Sequence, residues 1–244
     1  MIMNDNDLYP YNGYSTSQQV ENELALKESV ARVMRRVYGK MTLGLLATAL
    51  TSFAVISNPL LLQFLFAHQA VFWLLLAGEL GLVIAISAAI NKLSNGAATA
   101  LFYLYSVLNG LTLTPIFFVY TMSSIGFTFL ITSLTFGAMT IFGYLTHDDL
   151  SKFGSILIMA LIGLIICSVI NLFVHSSAMD WMISIAGVLI FVGLTAWDTQ
   201  RIKQMTMMSE QSEEGKVATL GALSLYLDFI NLFLYLLRFF GKSE

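Results

Sequence analysis

Two aspartates stand inside apolar stretches of this sequence, where a charge is costly. Asp198 lies in LTAWDTQRI, residues 194–202, and Asp228 lies in LYLDFINLF, in the next apolar run. Removing a carboxylate from water costs several kcal/mol, so such residues usually face a bundle interior or a cavity. Two aspartates that meet there share a proton and titrate as a unit, and their oxygens suit Ca²⁺. The pair therefore predicts a site where a proton and a cation compete.

A third acid and several polar side chains fall in the same kind of apolar surroundings. Glu79 lies in an earlier run, at a depth that predicts one shared pocket with the two aspartates. A continuous polar stripe is unfavourable in lipid, so the polar faces are expected to meet inside a bundle. Five polar side chains are expected to support the acids. Ser224, Asn231 and Tyr235 share helical spacing with Asp228, Asn109 lies in an earlier run, and Arg201 follows Asp198.

Each acid also has a purely structural interpretation. Asp198 has Arg201 three residues later, so the two can form an intrahelical ion pair at a membrane edge. Asp228 can be a protonated acid bonded to Asn231 or to a carbonyl, and Glu79 can be a buried protonated acid. The segment 147–149, His-Asp-Asp, precedes an apolar run and is typical of helix caps and solvated charge rather than of a metal site.

The composition is that of a polytopic membrane protein. Hydrophobic residues make up 57% of the 244 and charged residues only 11%, with a mean hydropathy of +0.77. A soluble domain carries roughly 25% charged residues. The basic residues are scattered over short loops, which argues against nucleic-acid binding, and the single cysteine, Cys167, excludes an internal disulfide framework. No cofactor is expected beyond a transported or bound Ca²⁺.

The sequence predicts an all-α bundle of seven transmembrane helices. A hydrocarbon core of about 30 Å needs about 20 apolar residues of helix. Pro115 removes a backbone donor to the carbonyl of Leu111 and is expected to kink the third span. The expected spans are about 41–58, 70–91, 98–121, 124–145, 154–174, 182–203 and 217–238.

The N-terminal region differs from the rest of the chain. Residues 1–30 are expected to form a mobile arm, and residues 31–244 the transmembrane domain. Residues 21–40 have a mixed-charge helical pattern, in which Glu23 with Lys27 and Glu28 with Arg32 are spaced i,i+4. This pattern predicts a separate helix on the membrane surface before the first span.

The distribution of Lys and Arg predicts the orientation. Ten of these cations fall in the N-terminal segment and in the loops after even-numbered spans, whereas Arg238 and Lys242 fall on the opposite side. Because cytoplasmic loops are enriched in Lys and Arg, the N-terminus is expected in the cytoplasm.

Several segments resemble the Bax inhibitor-1 family, most closely its bacterial inner-membrane branch. The resemblance covers about residues 30–241 and is most specific in the last two spans. The matching stretches are VYGKMTLGLLATAL, AISAAINKLS, LYSVLNGLTLTPIFFVYT, GAMTIFGYLTHDDLSKFG, FVGLTAWDTQRIK and GALSLYLDFINLFLYLLRFFG.

The resemblance implies a seven-helix bundle with the last helix at its centre. It also implies a proton-sensitive cation pathway, described as a Ca²⁺ leak, whose paired aspartates match Asp198 and Asp228, with Glu79 at the span-two acid position. Family members often carry an arginine in span two that locks the aspartates. Residues 70–91 contain no arginine here, so Lys92 or Arg201 would have to supply the lock, or a shared proton alone would replace it.

These observations lead to a leading and an alternative functional hypothesis. The first is a pH-sensitive Ca²⁺ or cation leak channel. The second is a regulatory protein that binds another membrane protein, such as a quality-control protease, through its N-terminal arm. An enzyme is not expected, because neither HExxH nor GxSxG occurs and the glycines that precede the second aspartate of intramembrane aspartyl proteases are replaced by LYLD.

Overall fold

A computed structural model describes residues 16–242 as a bundle of α-helices. Seven spans in this part of the chain are long and apolar enough to cross a membrane, which confirms the predicted all-α bundle. The third span comprises two helices, α4 and α5, and the short α2 lies between the first two spans. The helices are α1 (Thr16–Ile56), α2 (Pro59–Ala67), α3 (Gln69–Ala89), α4 (Asn95–Leu113), α5 (Ile116–Val119), α6 (Met122–Leu145), α7 (Ser151–Val174), α8 (Ser177–Met208) and α9 (Glu214–Phe240).

Helix α9 lies at the centre of the bundle, as expected. Of its apolar stretch, 67% is buried, against 44% for α8 and 11% for the peripheral α3. It packs against α1, α4, α6 and α8. Small residues allow this close packing: Gly221 lies against the side chains of Ile202 and Val37, and Ala218 and Ala222 are fully buried. The buried polar side chains Thr219, Tyr226 and Asp228 of α9 therefore lie against other helices, whereas Arg238 near its end is exposed.

The third span breaks at Pro115, as predicted. Helix α4 ends at Leu113, and α5 begins at Ile116. Thr114 donates its backbone N–H to the carbonyl of Leu111 at 3.3 Å, which closes the last turn before the proline. Proline has no N–H to continue the ladder, so the hydrogen-bonding pattern of α4 ends here.

The first helix differs from the prediction. Helix α1 runs without a break for 41 residues, so the separate surface helix expected at 21–40 is wrong. Its buried residues Val30, Val33, Val37 and Met41 recur on one face and continue into the span, so nothing ends the helix between them. Residues 16–30 of the expected arm are helical, and the rest of that arm lies outside the described residues.

Helix α8 extends beyond the expected span of 182–203 to Met208. The end of α6 and the loop that follows it bind polar side chains in the C-terminal part of α8. Gln200 donates to the Asp148 carbonyl at 2.7 Å and accepts from the Leu150 N–H at 2.9 Å, while Lys203 donates to the Tyr144 carbonyl at 3.2 Å. Asp198 therefore lies ten residues, or about 15 Å, from the C-terminal end of α8.

A buried carboxylate joins α1 to the start of α9. The carboxylate of Glu214 accepts from Ser29 and from two nitrogens of Arg32, at 3.0 Å each, and Arg36 lies 3.5 Å away. Glu214 is only 3% exposed. We call Glu214, Ser29, Arg32 and Arg36 the Glu214 clasp. Arg32, predicted to pair with Glu28, forms its ion pair with Glu214 instead, because the fold places that buried acid beside it.

Replacing Gly143 by alanine is expected to lower the stability of the bundle by about 1–3 kcal/mol. Gly143 of α6 packs on the backbone of Ala196 of α8, and a Cβ there would overlap the Ala196 carbonyl. Thermal unfolding in detergent measures the change. Gly137→Ala on the same helix is the matched control, because a Cβ at Gly137 meets nothing within 4 Å. Equal unfolding temperatures for the two variants would contradict this close contact.

Candidate functional site: the aspartate pair and a separate glutamate network

Asp198 of α8 and Asp228 of α9 meet in the interior of the bundle. Their carboxyl groups lie close enough to interact with each other directly. They are buried, with exposures of 8% and 4%. Helices α8 and α9 form the most extensive interface of the bundle, which holds the two side chains together. A hydrogen bond between two carboxyl groups needs a proton on one of them, because two carboxylates offer only acceptors. We call Asp198 and Asp228 the aspartate pair.

Asp198 also contacts a cation. Arg201 Nη1 lies 3.7 Å from Asp198 Oδ1, with 47% of the arginine side chain exposed. The guanidinium lies over the Trp197 ring, 5.2 Å from its centroid. The intrahelical ion pair and the contact with Asp228 therefore coexist. Of the two cations considered for a lock, Arg201 is the one at the pair, while Lys92 is exposed in the turn after α3.

Asp228 is not fastened by its neighbour on the helix. The Asn231 amide donates to the Leu227 carbonyl at 2.8 Å. Asp228 Oδ2 is buried, and no residue within 16–242 forms a hydrogen bond with it. An acceptor without a donor in such a place is unfavourable, so the site leaves an oxygen for a proton, a cation or water.

The rest of the predicted stripe on α9 is half-buried, at Ser224, Asn231 and Tyr235. The Tyr235 ring stacks on Phe191 with centroids 5.9 Å apart and fills the space over Gly187. Arg238 lies 5.8 Å from the centroid of the same ring, one turn further along α9. Beyond Asp228, the stripe continues towards the C-terminal end of α9. The Tyr235 ring lies between the aspartate pair and that end.

Glu79 belongs to a different network. Its carboxylate accepts from Thr112 at 2.6 Å and from the Asn109 amide at 3.2 Å. The Tyr226 hydroxyl donates to the Asn109 carbonyl oxygen at 3.0 Å and also contacts the hydroxyl of Thr48. These five residues, which we call the glutamate network, connect α1, α3, α4 and α9. The sequence did not single out Tyr226, because a tyrosine in an apolar run is ordinary core.

The three acids therefore do not form the one pocket that was expected. Tyr226 and Asp228 are two residues apart, which turns their side chains about 200° from each other around α9. The glutamate network lies on one side of α9 and the aspartate pair on the other. Across residues 16–242, no three His, Cys, Asp or Glu side chains lie close enough to hold one metal ion. The similar depth expected for Glu79 and the two aspartates did not place their side chains next to each other.

The loop acids have a structural role. Asp149 Oδ1 accepts from the Ser151 N–H at 2.9 Å, at the start of α7. The hydrogen bonds from Ser151 lower the pKa of Asp149 below its ordinary value. The N-cap of α7 is Leu150, and no side chain caps the helix, so Asp149 stabilises the turn before α7 rather than capping it as the sequence indicated.

Comparison with known proteins identifies relatives along most of the chain. Residues 30–244 match the family described as inhibitor of apoptosis-promoting Bax1. The chain is 48% identical over 214 residues to inner membrane protein YbhL of Escherichia coli strain K12, covering 86% of this chain and 92% of that protein. It is 46% identical over 228 residues to an uncharacterized protein of Borreliella burgdorferi, covering 93% and 97%. An uncharacterized membrane protein of Streptococcus pyogenes serotype M1 is 43% identical over 166 residues, covering 68% and 72%.

The family match includes the first apolar span from residue 30 onwards, the other six spans and both members of the aspartate pair. It agrees with the resemblance read from the last two spans. This chain is therefore an integral membrane protein and belongs to the Bax inhibitor-1 family.

Proposed function

We propose that this protein is a pH-sensitive leak channel for Ca²⁺ or another cation, with the aspartate pair as its gate. The observation that carries the proposal is the direct contact of two buried carboxyl groups on adjacent helices. While the pair holds a proton, the two helices are joined by a carboxyl–carboxyl hydrogen bond. Loss of that proton leaves two like charges in contact, and their repulsion favours separation of α8 and α9 or the arrival of a cation.

The surroundings of the pair support different roles for its two members. Arg201 compensates the charge of an ionised Asp198, whereas Asp228 is deeper and its Oδ2 has no donor among the described residues. The shared proton in the closed state is therefore placed on Asp228, which donates to Asp198. A divalent cation would take the place of this proton, because carboxylate oxygens are the ligands that Ca²⁺ prefers. No bond of a substrate is made or broken in this scheme.

The proposal places the protein in a bacterial inner membrane with its N-terminus in the cytoplasm. The relative named inner membrane protein supports the location in that membrane. The ten Lys and Arg residues on the same side as the N-terminus support the orientation. A reporter that is active only outside the cytoplasm should then be active when it is fused after Phe240. The same reporter should be inactive when it is fused at the N-terminus.

Flux through purified protein in liposomes tests the channel. With a Ca²⁺-sensitive dye inside the vesicles, Ca²⁺ entry should exceed that of protein-free vesicles and change reversibly across the acid-to-neutral range. Entry equal to that of protein-free vesicles at every pH would refute the proposal. A K⁺-sensitive dye in parallel vesicles reports whether the cation is Ca²⁺ in particular.

The alternative function, binding of another membrane protein, is favoured by a different observation. Residues 18–28 of α1 are exposed throughout, among them Val20, Leu24 and Leu26 at 51%, 54% and 45%. Deleting residues 1–28 should abolish capture of such a partner and leave liposome flux unchanged, since Ser29 and the rest of the Glu214 clasp are retained. Loss of flux in this deletion would argue against a role confined to partner binding.

A further inference from the structure

An aspartate and an arginine meet at the end of the bundle opposite the Glu214 clasp. Asp180 lies in the first turn of α8 and Arg238 in the last turn of α9. Arg238 Nη1 is 3.9 Å from Asp180 Oδ1, and the two side chains are 50% and 61% exposed. A charge-assisted hydrogen bond is about 2.7–2.9 Å long, so the two groups attract each other without forming one. Both charges are therefore accessible to a ligand.

Neither group has its hydrogen-bonding capacity filled. The Asn171 amide donates to Asp180 Oδ1 at 2.8 Å, and Oδ2 has no donor among residues 16–242. The Arg238 guanidinium lies 5.8 Å from the centroid of the Tyr235 ring, and no oxygen in the described part of the chain accepts a hydrogen bond from it. A guanidinium carries five N–H donors, whereas a carboxylate only accepts. The site therefore presents a free acceptor and several free donors side by side.

Asp180 and Arg238 stand between two cavities. One, of about 440 Å³, lies between α7 and the ends of α8 and α9, and the other, of about 370 Å³, has serine hydroxyls in its lining. In the first cavity, Ile165, Val169 and Leu172 are spaced i, i+4 and i+7 on α7, with exposures of 54%, 50% and 68%. This apolar stripe runs along α7 from the middle of the helix towards the two charges.

Aromatic side chains indicate that the two charges lie at the level of the lipid headgroups. Trp181 is 62% exposed and packs on Phe239, with ring centroids 6.2 Å apart. Tyr120 lines the same cavity as Trp181. Trp and Tyr are enriched where the membrane meets water. A ligand that fills this site has a polar part among the headgroups and an apolar part beside α7, which is the arrangement of a phospholipid.

We propose that Asp180 and Arg238 bind the headgroup of a zwitterionic phospholipid that carries a primary ammonium, phosphatidylethanolamine. The Arg238 guanidinium donates to the phosphate, and the Asp180 carboxylate accepts from the ammonium. An acyl chain lies along Ile165, Val169 and Leu172. This site is independent of the proposed channel function.

The charges of the site select this headgroup over others. Asp180 and Arg238 contribute one charge of each sign, which matches a headgroup with one phosphate and one ammonium. An anionic headgroup would leave Asp180 without a partner, and the quaternary ammonium of phosphatidylcholine has no N–H to donate. The site also gives a reason for Arg238 on the side of the membrane where Lys and Arg are rare in the predicted orientation.

Native mass spectrometry of the full protein tests the headgroup. The protein in detergent is mixed with equal amounts of phosphatidylethanolamine, phosphatidylcholine and phosphatidylglycerol, and the lipids that remain bound are counted. We expect several-fold more bound phosphatidylethanolamine than either of the other two. Equal retention of the three lipids, or a preference for one of the others, would overturn the proposal.

Two variants locate the lipid. Asp180→Asn should lower the retention of phosphatidylethanolamine to that of phosphatidylcholine, because the ammonium loses its charged acceptor. Arg238→Gln should lower the retention of all three lipids, because all carry a phosphate. Asp148→Asn and Arg35→Gln, at exposed residues near the other end of the bundle, are the matched controls and should bind as the unmodified protein does. Unchanged retention of phosphatidylethanolamine in either site variant would overturn the site, and thermal unfolding verifies that the variants are folded.

A further pair of variants tests the apolar part of the site. Val169→Trp fills the cavity beside α7 and should lower the retention of phosphatidylethanolamine several-fold. Met159→Trp is the matched control, because Met159 is 61% exposed on the same helix and does not line the cavity. Equal retention in the two variants would overturn the placement of the acyl chain along α7.

Discussion

Replacing Asp228 with asparagine is expected to abolish the pH response of cation flux. Asparagine matches the shape of aspartate but carries neither the exchangeable proton nor the negative charge. Asp198 would then keep only its ion pair with Arg201, at 3.7 Å, and no like charge would oppose it. Vesicles loaded with a Ca²⁺ dye and exposed to a series of pH values measure the change as a flat profile in place of a transition.

The matched control is the same replacement at an exposed acid. Asp148 lies in the loop between α6 and α7, and its contact with Gln200 is made by the backbone carbonyl, which the substitution leaves in place. Asp148→Asn should therefore retain the pH profile of the unmodified protein. Asp198→Asn should behave like Asp228→Asn. If both membrane variants keep the normal flux and pH profile, the aspartate pair is not the gate.

Replacing Glu79 with leucine is expected to destabilise the bundle by about 1–3 kcal/mol, because the Asn109 amide loses its buried acceptor. Glu79→Gln should be tolerated. Its carbonyl oxygen can accept from Asn109, and its amide can donate to Thr112, whose hydroxyl has a second acceptor in the Asn109 backbone carbonyl at 3.1 Å. Thermal unfolding in detergent compares the two variants.

Flux separates this network from the aspartate pair. Because the glutamate network lies on the other side of α9, Glu79→Gln should leave the pH profile of flux unchanged. An equally stable Glu79→Leu variant would show that the hydrogen bonds of Glu79 do not hold α3 in place. A pH profile that disappears in Glu79→Gln would show that the two centres act as one.

Much of the fold was predictable because it depends on local patterns. Seven apolar runs of sufficient length predicted the seven spans, and Pro115 predicted the break between α4 and α5 from its missing N–H. The ion pair of Asp198 with Arg201 was also visible as an i,i+3 spacing. Asp228 is buried as expected, but Ser224, Asn231 and Tyr235 of the same predicted stripe are only half-buried.

The features that sequence reasoning missed depend on contacts between distant segments. Glu214 binds Arg32 across 182 residues, and no local spacing announces that pairing. The position of Glu79 could be estimated as a depth, but depth leaves open the direction around α9, and that direction separates Glu79 from Asp228.

The length of α1 has a mechanical consequence. Its 41 residues measure about 61 Å, roughly twice the thickness of the hydrocarbon core. About half of α1 therefore lies outside the apolar layer. The Glu214 clasp joins this outer half of α1 to the first turn of α9, fourteen residues before Asp228. A protein that grips the outer half of α1 and tilts it would apply torque to the helix that carries half of the aspartate pair. Partner binding and ion flux, weighed above as alternative functions, would then be the input and the output of one rigid linkage.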